Sequence, residues 1–236
     1  MSKETVRGAA LTIHFDGGRC VHARNCVVGA PRVFKANVQG PWIDPDAAGV
    51  EDLIAVARAC PSGAITYERH DGGAAEAAPE VNTVRVRENG PLAVHAALQV
   101  AGQPACHRAT LCRCGHSASK PFCDGAHATH GFTATGEPPT TAETDPLAAR
   151  DGVLTVTPAP NGPLLVTGNC ELLSGTGRLV KRADKLAPVS YTHLRRRGHP
   201  VADRHGLRQP DRQLLPAPTE RGVRLLPAQP RQAGPA

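Results

Sequence analysis

The amino-acid sequence predicts an α+β protein built from small modules with thin cores, and three observations lead there. Apolar residues alternate with strand period at Leu11-Thr12-Ile13-His14-Phe15 and recur with helix period at Val50, Leu53, Ile54 and Ala57. Of 236 residues only Phe 4, Tyr 2 and Trp 1 are aromatic, against 24 Gly and 22 Pro, so large apolar cores cannot be filled. The string Asn-Gly-Pro-Leu begins at Asn89 and again at Asn161, 72 residues later, which marks an internal duplication of a strand-turn-strand unit.

The first module is expected over residues 8–70. Its strand at Leu11–Phe15 is covered by a helix predicted from about Ala47 to Ala59, with Asp44 and Asp46 as candidate caps and Pro61 as the stop. A Gly-, Ala- and Pro-rich linker follows at 71–80. The second module, 81–135, opens with Val84-Arg85-Val86-Arg87, turns at Asn89-Gly90-Pro91 and returns through Leu92-Ala93-Val94 toward a cysteine cluster. The stretch 150–186 repeats that opening at Leu154-Thr155-Val156 and Leu164-Leu165-Val166. It reads as a truncated second copy, because no cysteine follows Cys170. From residue 187 to 236 the text turns rich in Arg and Pro with no helix or strand period, which predicts a disordered or out-of-frame tail.

Charge excludes some partners. The net +6 is accounted for by nine Arg and three acids from Ala187 onward, while the rest of the chain balances at 18 basic and 18 acidic residues. No nucleic-acid partner is expected, since aromatic stacking platforms are scarce as well. The start Met1-Ser2-Lys3-Glu4-Thr5 lacks the apolar run of a secretory leader, and no segment reaches the ~20 apolar residues needed to cross a bilayer. The expectation is a soluble, cytoplasmic protein with no membrane contact, whose eight cysteines stay reduced and available to metal. No nucleotide-binding Gly motif and no G-x-S-x-G is present, so an enzyme is not expected.

Three thiols and one imidazole fall within 16 residues, at Cys112, Cys114, Cys123 and His127. Cys112 and Cys114, two apart on a turning backbone, can serve one metal ion. Cys123 and His127, four apart, share a face of a helical turn. Pro121 and Gly125 shape the loop, and Asp124 is placed to cap the turn that carries His127. Three Cys and one His also make a structural zinc set, although zinc sites pair thiols as C-x2-C more often than as C-x-C. The string matches C-x-C-x2-S-x3-P-x-C-D-G-x-H and so resembles the CDGSH iron-sulfur family, with Ala126 where the family name has Ser. The resemblance implies a [2Fe-2S] cluster held by Cys112, Cys114, Cys123 and His127. Three thiolates and an imidazole give such a cluster an intermediate charge and potential, and the histidine makes it acid-labile. Ser117 and Lys120 are candidates to tune it, or are plain turn residues. His116, Cys106 and Cys170 read as packing or surface residues, and Cys170 aligns with Leu98 of the first repeat.

Cys20-Val21-His22-Ala23-Arg24-Asn25-Cys26, with Cys60-Pro61 downstream, has the spacing C-x2-C-x2-C...C-P with Ala23 at the middle position. Three thiolates at Cys20, Cys26 and Cys60 suit a [3Fe-4S] cluster, or a [4Fe-4S] cluster completed by solvent or His22. The stretch resembles the divergent 4Fe-4S mono-cluster domain through Arg32-Val33-Phe34, Pro41-Trp42-Ile43-Asp44 and Cys60-Pro61-Ser62-Gly63-Ala64-Ile65. Together the resemblances imply a small ferredoxin-like module followed by a β-rich CDGSH module. They imply electron transfer to a redox partner protein, or alternatively cluster storage, delivery to an acceptor or redox sensing. A zinc-stabilised interaction module is the reading of another class.

Overall fold

The computed structural model describes residues 3–141, 145–160 and 162–187. Among the described residues the protein is mixed α+β, sheet-rich with few helices, and the strands fall into two sheets. In the first, β1 (Lys3–Arg7), β2 (Leu11–Asp16) and β3 (Ile65–Arg69) lie antiparallel in the order β1-β2-β3. Between β2 and β3 the chain forms a short helix α1 (Asn25–Gly29), a 3-10 turn at Pro45–Ala47 and the helix α2 (Val50–Arg58). Leu53, Ile54 and Ala57 are buried against Leu11, Ile13 and Ile65, as the helical period requires, and Val50 packs at the margin. Phe34 is fully buried, and Trp42 meets Phe15 edge-on at 4.9 Å.

The helix starts at Val50 rather than Ala47, because Pro45–Ala47 closes as a separate 3-10 turn with Ala48 extended. Neither expected cap serves: Gly49 precedes α2 without a side-chain bond, and Asp46 instead accepts the Ala9 N–H at 2.8 Å. A contact 37 residues away has taken the carboxylate that local pattern assigned to the helix.

The second sheet contains β4 (Thr83–Val86), β5 (Leu92–Val100), β6 (Cys106–Leu111), β7 (Val153–Pro158), β8 (Leu164–Leu173) and β9 (Leu179–Leu186). Strands β5 and β8 are the long ones. β4 pairs antiparallel with β5 and parallel with β8, while β7 pairs parallel with β5 and antiparallel with β8, so both short strands sit between the same two long ones. β6 adds to β5 on its far side and β9 to β8. The registers follow the 72-residue offset: Thr83 faces His95 as Thr155 faces Thr167, and Thr83 faces Glu171 as Thr155 faces Gln99. Register breaks fall between His95 and Leu98 and between Thr167 and Cys170, again 72 apart. Leu98 and Cys170 are both buried in the shared core, with Val84, Val100, Leu154 and Val156. The expected tail lies outside the described residues apart from Ala187. Among the described residues no helix is long and apolar enough to cross a membrane.

Candidate metal centres

Strand β6 runs directly into the Cys112–His127 segment. Beyond Leu111 the chain turns through Gly115 and Pro121 and returns so that Phe122 bridges Leu111 and the Cys123 N–H donates to the Thr110 carbonyl at 2.9 Å. A single helical turn α3 (Ala126–Thr129) then presents His127. The four donors arrive as two pairs: Cys112 Sγ lies 3.8 Å from Cys114 Sγ, and Cys123 Sγ lies 3.3 Å from His127 Nδ1. Two ligands of one tetrahedral metal with ~2.3 Å metal-sulfur bonds stand ~3.8 Å apart, so each pair is spaced to share one ion. As two pairs, the four donors fit a two-metal group.

The surrounding backbone is arranged for negative sulfur. Gly115 N–H donates to Cys112 Sγ at 3.3 Å, His116 N–H to Cys114 Sγ at 3.4 Å and Gly125 N–H to Cys123 Sγ at 3.4 Å. All three thiols are nevertheless buried. Burial pushes the Cys123 thiol up to about 11 and raises that of Cys114, so these sulfurs are protonated until a metal replaces the protons. Burial pushes His127 down, toward the neutral form that ligates.

Neighbouring side chains lock the frame. Asp124 accepts the N–H groups of Ala118 at 2.8 Å and Ala126 at 3.0 Å, pinning the loop to the turn that carries His127. Ser117 Oγ donates to the Phe122 carbonyl and Lys120 Nζ to the Ser117 carbonyl, which assigns both to the turn. Arg113, between two of the thiols, is buried and donates to the carbonyls of Arg87, Ala134 and Thr135 at 2.9–3.0 Å, with its guanidinium 5.3 Å from the Phe132 ring. His116 stacks on His130 at 4.3 Å.

The N-terminal donors line a cavity of about 690 Å³ whose wall includes Cys20, His22, Cys26, Cys60, Trp42 and Ile65. The Cys20–Cys26 loop is bent by two non-Gly residues in the left-handed region, His22 (φ 51°) and Arg24 (φ 65°). Cys26 sits on α1, and Asn25 ties that turn to the end of α2 through a 2.7 Å bond to the Ala59 carbonyl. Cys60 follows α2, its Sγ 3.5 Å from Ser62 Oγ. His22 Nδ1 stands 4.0 Å from Cys20 Sγ. Burial raises the Cys20 and Cys26 thiols, and charge on Cys60 adds to both shifts. Three thiols and an imidazole on one cavity wall, with Ala23 contributing no donor, fit a cluster with three sulfur ligands and one different or open position.

Sequence reasoning missed the contacts between the two sites. Arg108, 3 % exposed, pairs with Glu76 at 2.8 Å and donates to the carbonyls of Ala57, Cys60 (2.8 Å) and Ile65 (2.9 Å). Gly63 (φ 66°) packs so closely against β6 that a Cβ there would lie 2.5 Å from the Arg108 carbonyl. Arg19 places its guanidinium 4.5 Å from the Phe122 ring and donates to Cys106 Sγ at 3.6 Å. No local pattern separates these arginines from surface ones.

Comparison with known proteins bears on both sites. Residues 6–70 match the family described as "Divergent 4Fe-4S mono-cluster", and residues 79–128 match "Iron-binding zinc finger CDGSH type". The chain is 38 % identical over 63 residues to the "Uncharacterized protein YjdI" of Escherichia coli strain K12, covering 27 % of this chain and 80 % of that protein, and equally so to that of Escherichia coli O157:H7. No solved structure matches.

Proposed function

Because the chain belongs to the divergent 4Fe-4S mono-cluster family and carries a CDGSH iron-binding domain behind it, as an iron-sulfur cluster-binding protein, we propose that it is an electron carrier with two clusters. Cys112, Cys114, Cys123 and His127 hold a [2Fe-2S] cluster. The arrival of these donors as two pairs, at 3.8 and 3.3 Å, is the observation that carries this assignment; a single zinc ion would space each pair the same way, and acid-labile sulfide separates the two. Cys20, Cys26 and Cys60 hold a second, larger cluster. The imidazole of His22 on the same wall favours [4Fe-4S] over [3Fe-4S]. Bound there, the clusters supply one-electron oxidation and reduction. The chain's own groups hold the irons, shield the sulfurs and donate N–H bonds that set the potential.

The fold is read as a ferredoxin-like module followed by a CDGSH module, with β7–β9 a truncated second copy without ligands. The shared registers of β4–β5 and β7–β8 and the repeated break before Leu98 and Cys170 support that copy. The partner is a redox protein. A second reading, delivery of the [2Fe-2S] cluster to an acceptor, is favoured by one observation: His127 lies on the wall of a cleft while the three thiols are buried.

Iron, zinc and acid-labile sulfide per chain on anaerobically purified protein test the assignment. About six irons with matching sulfide are expected; about five would replace [4Fe-4S] by [3Fe-4S]. Zinc without sulfide would refute the reading and leave a structural metal module.

A further inference from the structure

The two donor sets are joined by contacts that begin beside a ligand of one and end beside a ligand of the other. We propose that these contacts make the chain an internal one-electron conductor, in which Arg108 and the Arg19–Phe122 pair couple the N-terminal site to the CDGSH site at Cys123. The inference rests on both sites holding iron-sulfur clusters.

The first route is bonded throughout. Arg108 Nη1 donates to the Cys60 carbonyl at 2.8 Å, and two residues further along β6 the Thr110 carbonyl accepts the N–H of Cys123 at 2.9 Å. From Cys60 to Cys123 there is one guanidinium hydrogen bond, three residues of strand and one backbone hydrogen bond. The second route is shorter in sequence: Arg19 adjoins Cys20, Phe122 adjoins Cys123, and their side chains meet at 4.5 Å. The third observation is a cleft of about 160 Å³ with Val21, Ala23 and Pro61 of the N-terminal site on one side and Thr110 and His127 on the other. A clamp whose only work was to hold the modules together could grip the six-stranded sheet anywhere. Here one grip falls on Phe122, next to Cys123, and the other on Arg108, two residues along β6 from the Thr110 carbonyl that accepts the Cys123 N–H.

The step makes and breaks no covalent bond. A low-potential one-electron donor outside the chain reduces the N-terminal site; that site then gives up one electron, and one ferric ion at the CDGSH site becomes ferrous.

Holoprotein is tested by flash photoreduction with a deazaflavin donor, following each cluster by its own absorption and EPR signal, in wild type, Phe122→Leu, Arg19→Ala, their double variant and Arg108→Lys. The expected result is a several-fold slower reduction of the [2Fe-2S] cluster in the single variants and a larger loss in the double variant. Iron and sulfide per chain should stay at wild-type values, and the fully reduced wild type should show mutually broadened EPR signals. Unchanged rates in a fully loaded double variant would overturn the conducting role. A wild-type chain lacking either cluster by iron and sulfide count would refute the underlying two-cluster reading before any rate is measured, and the proposal with it.

Discussion

Cys112, Cys114 and Cys123 are 6, 2 and 2 % exposed and each takes a backbone N–H bond, whereas Cys20, Cys26 and Cys60 are only partly buried around an open cavity of about 690 Å³. The two sites also differ in how the chain holds them. The CDGSH donors come from one continuous segment fixed by β6, Asp124 and Arg113. The N-terminal donors come from a strained loop and the far end of α2, 34 residues apart in sequence. A closed frame with one imidazole at its rim suits a small cluster whose stability turns on that imidazole. An open socket suits a larger cluster reached by solvent.

The sharpest way to break the comparison is to remove one ligand from each site. Cys20→Ala should abolish the N-terminal cluster and leave the [2Fe-2S] absorption intact, and Cys123→Ala should do the reverse, each read by iron content and EPR. Loss of all iron in either variant would show that the sites load together rather than separately.

Next in size is the junction. Arg108→Ala takes the buried donor from the partly buried Glu76 and from three carbonyls, and breaking a pair with a buried partner costs up to about 3–5 kcal/mol. The expected outcome in chemical denaturation is a loss of that order, with the N-terminal cluster lost first because the Cys60 carbonyl loses its anchor. A loss below about 1 kcal/mol would place Arg108 among ordinary surface charges.

What could be read in advance was local. The spacings two and four apart in Cys112–His127 bring donors together on a turn whatever the rest of the chain does, and Leu53, Ile54 and Ala57 share a helix face by period alone. The edge strands β1 and β9 escaped that reading. Lys3-Glu4-Thr5-Val6-Arg7 buries no residue fully, and β9 buries only Val180, so neither carries an apolar signature; their pairing is set by the neighbouring strand. The Asp46 bond to Ala9 and the four partners of Arg108 are likewise long-range. They depend on which surfaces meet, and no window of sequence contains them.

A smaller effect sharpens the role of the rim histidine. Acid release of the [2Fe-2S] cluster requires a proton on the imidazole nitrogen that holds iron, so His127→Cys should move the pH of cluster loss downward, followed by visible absorption between about pH 7 and pH 4. The N-terminal cluster in the same sample serves as the internal control, since its thiolates are unchanged. Identical acid loss in variant and wild type would remove the histidine from the account.

The smallest effect concerns His95, which stands between the sites on β5 opposite Arg108. Burial pushes its imidazole below the ordinary value of about 6.5, and the charges of Arg108, His107 and Arg58 reinforce the shift while Glu76 opposes it. A histidine depressed in the folded state binds fewer protons there than in the unfolded chain, so stability rises with pH across the window between the folded and unfolded values. It is fully present above about pH 6.5 and is lost as pH falls below that value. His95→Gln keeps a polar side chain without the titration and should flatten the pH dependence of thermal unfolding below pH 6.5, while leaving stability at pH 8 close to wild type. If the slope were unchanged, acid would act on the two sites independently and the junction between them would have no pH response of its own.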